Sequence, residues 1–152
     1  MPAYQLRSAT KDDSSAIRAL IRSARINPLG LDWQRFLVAV DSEDRLIGCG
    51  QVKYHHGRGG KTSLELASIV VNPSWRGQGV ARTIIEKLLA NNPPPIYLTC
   101  RAGLEPFYQK FGFQVVRGSD LPSYFMRVKQ IMKVLQRIGF VHEDLLVMFY
   151  NE

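Results

Sequence analysis

The apolar positions of the chain change period once within a single stretch, Leu64 to Leu89. From Leu64 to Val71 the run is mostly apolar and rich in β-branched residues, which predicts a strand buried on both faces. Asn72-Pro73-Ser74 ends it, since proline removes a ladder donor and Asn and Ser favour turns. From Val80 the apolar residues recur at helical spacing: Val80, Ile84 and Leu88, with Ala81, Ile85 and Leu89 beside them. The same pattern predicts earlier strands at Ala3–Ser8, Phe36–Val40 and Leu46–Tyr54. A helix opens at Thr10, buries Ile17, Leu20, Ile21 and Ala24, and ends near Arg25 to Asn27, with a short helical turn around Leu31 to Arg35. Gly48 and Gly50 weaken the third strand and point to a close backbone approach or a bulge. His55 to Lys61 reads as a polar hairpin loop.

Beyond the central stretch, Ile96–Cys100 predicts a fifth strand, and Tyr108 falls on a helix ended by Gly112. Phe113–Val116 follows as a sixth strand. Leu121 to about Ile138 reads as a helix with Phe125, Val128, Met132 and Leu135 on one face and Arg127, Lys129, Lys133 and Arg137 on the others. Leu145–Tyr150 closes the series as a strand, so this basic helix is inserted before the last strand.

Length and composition fit one domain, residues 1–152, with enough chain for a proper core. No apolar run reaches membrane-spanning length and the N-terminus lacks a signal-peptide pattern, so the expectation is a cytoplasmic protein with no membrane partner. Cys49 and Cys100 both fall in predicted buried strands and make no disulfide framework, which favours a reducing compartment. The net charge of +7 is compatible with nucleic acid, an acidic membrane surface or an anionic cofactor, and the scattered Lys and Arg of the helices also read as solvated faces that serve solubility. No basic run of five and no nucleic-acid motif occurs, so an anionic cofactor explains the excess better than DNA or RNA. The adjacent His55 and His56 point apart in an extended chain, and His142 is isolated, so no metal is expected.

Between strand and helix stands Arg76-Gly77-Gln78-Gly79. Two glycines free the backbone to curl, the helix behind them offers unpaired N–H groups, and Arg76 and Arg82 add positive charge. That combination suits a diphosphate, although a glycine pair can also be a plain tight turn. The P-loop template fails, because Val80-Ala81 follows the second glycine where Lys-Ser or Lys-Thr is needed. The dinucleotide fingerprint fails at Arg82, where a small residue is required.

The stretch resembles the acyl-CoA-binding motif of the GNAT superfamily of N-acetyltransferases, which stands here as Arg76-Gly77-Gln78-Gly79-Val80-Ala81, preceded by Val71-Asn72-Pro73-Ser74-Trp75. A second similarity lies at Leu104 to Phe113, which looks like the family's tyrosine-bearing helix turning through Gly-Phe into a strand. The resemblance covers roughly Met1 to Val116. It implies an α/β fold of α+β type: a mixed, mostly antiparallel sheet flanked by helices. It also implies acetyl-CoA as acyl donor, with its diphosphate on the backbone from Gly77 to Arg82 and its pantetheine paired with Ile69, Val70 and Val71. Many relatives carry asparagine where this chain has Arg101; arginine there could meet a phosphate.

Two side chains carry the expected chemistry. Glu65 is a carboxylate inside an apolar strand, so it must be paired or reach a solvated cleft. It stands eleven residues before Arg76, the offset at which many relatives carry a glutamate base. The alternative is a salt bridge at the exposed start of the strand. Tyr108 matches the family's tyrosine that protonates the departing CoA thiolate, and its alternative is packing beside Phe107 and Phe111. Trp33 lies where the family lines its acceptor site, but packing is the favoured reading for a large aromatic. The leading function is N-acetylation of a primary amine, either a small amine or a protein lysine or N-terminus. A non-catalytic acyl-CoA-binding module is the alternative, and nucleic-acid binding through the basic helix ranks below both. Oligomeric state is not readable.

Overall fold

The computed structural model describes residues 3–117, 121–139 and 144–151. Among them the strands are β1 (Tyr4–Ser8), β2 (Phe36–Asp41), β3 (Leu46–His56), β4 (Thr62–Val71), β5 (Ile96–Arg101), β6 (Gln114–Val115) and β7 (Leu145–Tyr150). The helices are α1 (Ser14–Ser23), α2 (Val80–Asn91), α3 (Glu105–Gln109) and α4 (Ser123–Arg137). The strands form one sheet in the order β1-β2-β3-β4-β5-β7-β6. Its pairs are mostly antiparallel, with β4 and β5 parallel. The expected mixed, mostly antiparallel sheet with a helix before its last strand is therefore present. No helix among the described residues is long and apolar enough to cross a membrane. The chain divides into two compact units, Met1–Lys53 with Leu66–Asn92, and Tyr54–Glu65 with Pro93–Glu152.

In the first unit α1 buries Ile17, Leu20 and Ile21 against Phe36, Val38 and Val40 of β2. Thr10 opens this segment as expected, through a reciprocal capping box with Asp13, but the first turn is a 3-10 turn over Lys11–Asp13. The helix stops at Ser23, slightly earlier than its pattern implied, because Arg25 turns left-handed (φ 55°). Arg7 donates to both oxygens of Asp13, at 2.7 and 3.0 Å, and ties the capping turn to β1. Trp33 packs against this core, the favoured reading.

The two glycines of β3 let α2 lie close to the sheet. A Cβ on Gly50 would stand 2.6 Å from Ile69 Cδ1 and 2.8 Å from Ile84 Cγ2. One on Gly48 would stand 3.0 Å from Val80 Cγ1 and 3.3 Å from Ile84 Cδ1. The close approach is therefore made by apolar side chains.

In the second unit β5 pairs with β7 and β7 with β6. Phe113, Phe125, Val147 and Met148 are fully buried. β3 runs two residues beyond its expected end, so His55 and His56 belong to a strand and not to a loop. The reason is the compact turn that follows: Gly59 and Gly60 adopt positive φ, and the Gly57 N–H donates to the Lys61 carbonyl at 2.7 Å. β6 is only two residues long, shorter than its sequence implied. α3 ends at Gln109, and Gly112 (φ 98°) completes the turn after it, its amide donating to the Gln109 carbonyl at 3.0 Å. On α4, Phe125 is buried and Val128, Met132 and Leu135 are half-buried, which matches the predicted inner face.

Two outcomes follow from the first unit. Gly50→Val should lower unfolding free energy by about 1–3 kcal/mol, because the β-branched Ile84 methyl cannot step aside; urea unfolding measures it. The hydrogen bonds from Arg7, more than any other contact, hold the Asp13 carboxyl below its ordinary value. A depressed carboxyl stabilises the fold above about pH 4, and that contribution is lost as pH falls through the lower folded value. Asp13→Asn should therefore cost about 1 kcal/mol at pH 7, with the deficit shrinking toward pH 3.

Candidate functional site

The turn before α2 is built on conformation and not on crowding. Gly77 and Gly79 both sit in the left-handed region, at φ 80° and 82°, and a Cβ added at either would meet nothing within 4 Å. Backbone there faces open space, as an approaching ligand requires. Gly79 is the N-cap of α2 and provides no side-chain cap, and the first turn of the helix holds no acidic residue. Neither a cap side chain nor an acid in the first turn therefore offsets the positive dipole end of the helix. Gln78, Arg76 and Arg82 are exposed, Ala81 is half-buried and Val80 is buried.

The supports of this turn were not foreseen. The Tyr4 hydroxyl lies 2.8 Å from Thr83 Oγ1 and donates to the Gly79 carbonyl at 3.3 Å. Its ring meets Trp75 edge-on at 6.4 Å. Asn72 Oδ1 accepts from the Ser74 amide and hydroxyl. Trp75 was visible as part of the motif lead-in; Tyr4 is far away in sequence and gave no sign.

Upstream, Val70 and Val71 are buried and Ile69 half-buried. Ser68 stands at φ 61°, a strained position for a residue that is not glycine. Gln51, fully buried, secures it by donating from Nε2 to Ser68 Oγ at 2.9 Å and to the Gly30 carbonyl at 3.1 Å. This left-handed break in β4 was hidden from the sequence, where Ser68 reads as an ordinary strand residue.

In the second unit, Glu65 is 6% exposed, so it does not stand at an exposed strand start, although it does find a partner. Its Oε1 lies 2.8 Å from His55 Nε2. The His55 ring stacks on Tyr124 at 3.6 Å and 9°, and Phe125 meets it edge-on at 6.0 Å. Burial raises the Tyr124 phenol, the nearby Glu65 charge adds to that rise, and Arg127 opposes it. His55 and Tyr124 were missed. The signal would have been the length of β3, since a strand that continues to His56 carries His55 back alongside Glu65.

A cavity of about 610 Å³ opens beside this pair, with His55, Tyr97 and Tyr124 among its walls. Tyr108 is half-buried on α3 and packs against Phe107 and Phe113. Burial, with a smaller contribution from Cys100, pushes its phenol up to about 12. It forms no hydrogen bond with Glu65, whose partner is His55. Arg101 ends β5 with its side chain exposed. Burial pushes the Cys49 thiol up to about 12 and the Cys100 thiol up to about 11, so both are inert core residues. Among the described residues no group of three His, Cys, Asp or Glu side chains could hold a metal ion; His142 lies outside those residues.

Comparison with known proteins agrees with this anatomy. The family model described as an acetyltransferase (GNAT) domain matches residues 32–115. No curated protein matches the chain. Among solved structures, Rv2747 from Mycobacterium tuberculosis, determined with CoA, superposes with a TM-score of 0.71 at 18% identity, covering 97% of this chain and 99% of that one. NAA60 from Arabidopsis thaliana, in complex with a bisubstrate analogue, gives 0.66 at 17% identity and covers 97% of both chains. Glucosamine-6-phosphate N-acetyltransferase from Arabidopsis thaliana gives 0.60 at 14% identity, covering 82% of this chain and 99% of that one. At these identities the likeness speaks for the fold, and the family match speaks for the lineage. With more than half its length matched by the family model, the chain belongs to the GNAT acetyltransferase family.

Proposed function

We propose that the protein, acting as one domain, transfers an acetyl group from acetyl-CoA to a primary amine by direct attack in a ternary complex. The observation that carries the reading is Glu65: a buried carboxylate, bonded to His55 and set beside a cavity. A buried, paired carboxylate next to open space is a candidate functional group.

The donor's diphosphate is assigned to the backbone from Gly77 to Arg82, whose open, left-handed glycines and uncapped helix end suit it. Arg76, Arg82 and Arg101 supply positive charge, and Ile69 to Val71 supply a strand for the pantetheine arm to pair with. When bound, acetyl-CoA supplies the thioester carbonyl. Glu65 takes a proton from the acceptor ammonium, which cannot attack while protonated. His55 keeps the carboxylate oriented through its Nε2. The Ile69 N–H is the donor assigned to the carbonyl oxygen as negative charge gathers there. The C–N bond forms, the C–S bond breaks, and Tyr108 gives its proton to the departing sulfur; the second proton, shed by the nitrogen as the amide forms, restores the phenol through solvent. A phenol pushed up to about 12 retains that proton throughout the neutral range. Two reduced, buried thiols favour a reducing, cytoplasmic setting.

Release of free CoA with a panel of amines, lysine peptides and N-terminal peptides tests the reading. Glu65→Gln should lower kcat by about 10²–10⁴, with acetyl-CoA affinity retained. Acetyl-CoA binding without turnover by any acceptor would favour a non-catalytic binding module, and absence of binding would overturn the assignment. Tyr108→Phe should lower kcat about tenfold or more. In the wild type the alkaline loss of activity due to Tyr108 should fall well above the ordinary phenol value near 10, toward about 12; a pH–rate profile of the two proteins checks this.

A further inference from the structure

His55, whose Nε2 lies 2.8 Å from Glu65 Oε1, lines one side of the 610 Å³ cavity of the second unit, and the carboxylate stands behind it. The remaining walls have a different character. The hairpin after β3 contributes Arg58 and Lys61, and the described lining holds no acidic residue. Both cations are exposed, on a turn closed by the Gly57–Lys61 hydrogen bond of 2.7 Å, which keeps them on one rim. Tyr97 and Tyr124 are among the other walls. Arg127, on the next turn of α4, adds positive charge felt at the Tyr124 phenol.

Among the described residues Arg58 and Lys61 are the charged Lys, Arg, Asp or Glu side chains of the lining, and a recess with low-dielectric sides focuses charge of one sign. The carboxylate associated with it belongs to Glu65, which His55 engages. An amine with no anionic group therefore finds a use for its ammonium at Glu65 and nothing at the rim. An amine that also bears an anion satisfies both ends. The volume falls within the range of small-molecule sites, roughly 300–1,000 Å³.

We propose that this cavity is the acceptor site and that it selects small amines carrying a carboxylate or phosphate group. Arg58 and Lys61 take the anion, and the ammonium turns toward Glu65. The inference rests on the acetyltransferase reading of the same site and narrows its acceptor class.

Matched pairs test it: β-alanine against propylamine for carboxylate, and glucosamine 6-phosphate against glucosamine for phosphate, each with acetyl-CoA in a CoA-release assay. The anionic member of at least one pair should show kcat/KM higher by about tenfold or more, roughly the worth of one good ion pair. The advantage should shrink as salt rises, and the pair that shows it identifies the anion. Arg58→Glu with Lys61→Glu should reverse the ratio within that pair, a gain for the uncharged amine that misfolding cannot produce. Equal kcat/KM within both pairs, or a preference that the double charge reversal leaves intact, overturns the acceptor inference while leaving the acetyltransferase reading in place. If no amine turns over, NMR of the His55 ring during titration with β-alanine and with glucosamine 6-phosphate decides: shifts absent with propylamine and glucosamine support the proposal, and no shift overturns it. Failure to bind acetyl-CoA, measured separately by calorimetry, overturns the broader reading.

Discussion

A carboxylate inside a strand constrains everything near it. Left alone, Glu65 would cost several kcal/mol, and a strand has no spare backbone donor to offer it. The second unit meets this need with His55, and meeting it has consequences. β3 must continue past Tyr54 to deliver the imidazole, and the hairpin must close within a few residues, which the positive-φ glycines permit. The imidazole then needs cover, which Tyr124 gives face-on and Phe125 edge-on. Phe125 in turn stacks on Tyr97 of β5 at 5.0 Å. The helix inserted before the last strand is thereby pinned by the aromatic contacts of its first turn.

The first unit answers a different demand. Its turn at Gly77 and Gly79 is stable without filling the space in front of it, and that stability is borrowed from behind. Val80 is buried under the helix start, and Tyr4 reaches across from β1 to hold Gly79 and Thr83. A turn whose glycines face open space has no side chains of its own there to lean on, so its support comes from neighbouring elements. The same logic applies at Ser68, where a strained backbone is secured from the side by the Gln51 amide.

Much of this was legible in the chain. β7 falls on Leu145–Tyr150, a continuous apolar and β-rich run, and α2 begins at Val80, where the apolar period changes. These elements have a local apolar pattern that no tertiary contact needs to correct. What stayed hidden is relational. His55 looked like loop because two histidines before a glycine-rich run carry no strand signature; their strand state follows from pairing with a partner strand. Ser68 could not be read as left-handed because its local preference is extended, and only buried hydrogen bonds hold it otherwise. Glu65 stood out as an acid among apolar residues, and it is buried and paired, but its partner lay across a turn whose length the sequence did not reveal.

The glycines at 48 and 50 have a consequence for how such a sequence can vary. Their missing side chains set how deeply α2 sits on β3, and the first residue of that helix, Val80, already touches the space where a methyl at 48 would go. The height of the helix start, and with it the aim of its free amide groups, is thus dictated from within the core. Gln78 and Arg82, which stand in solvent, can drift over generations at little structural cost. Positions 48 and 50 cannot, although neither is near enough to be mistaken for part of a binding loop. A side chain added at either strand position would therefore reset the helix start from inside the core, with the motif itself untouched.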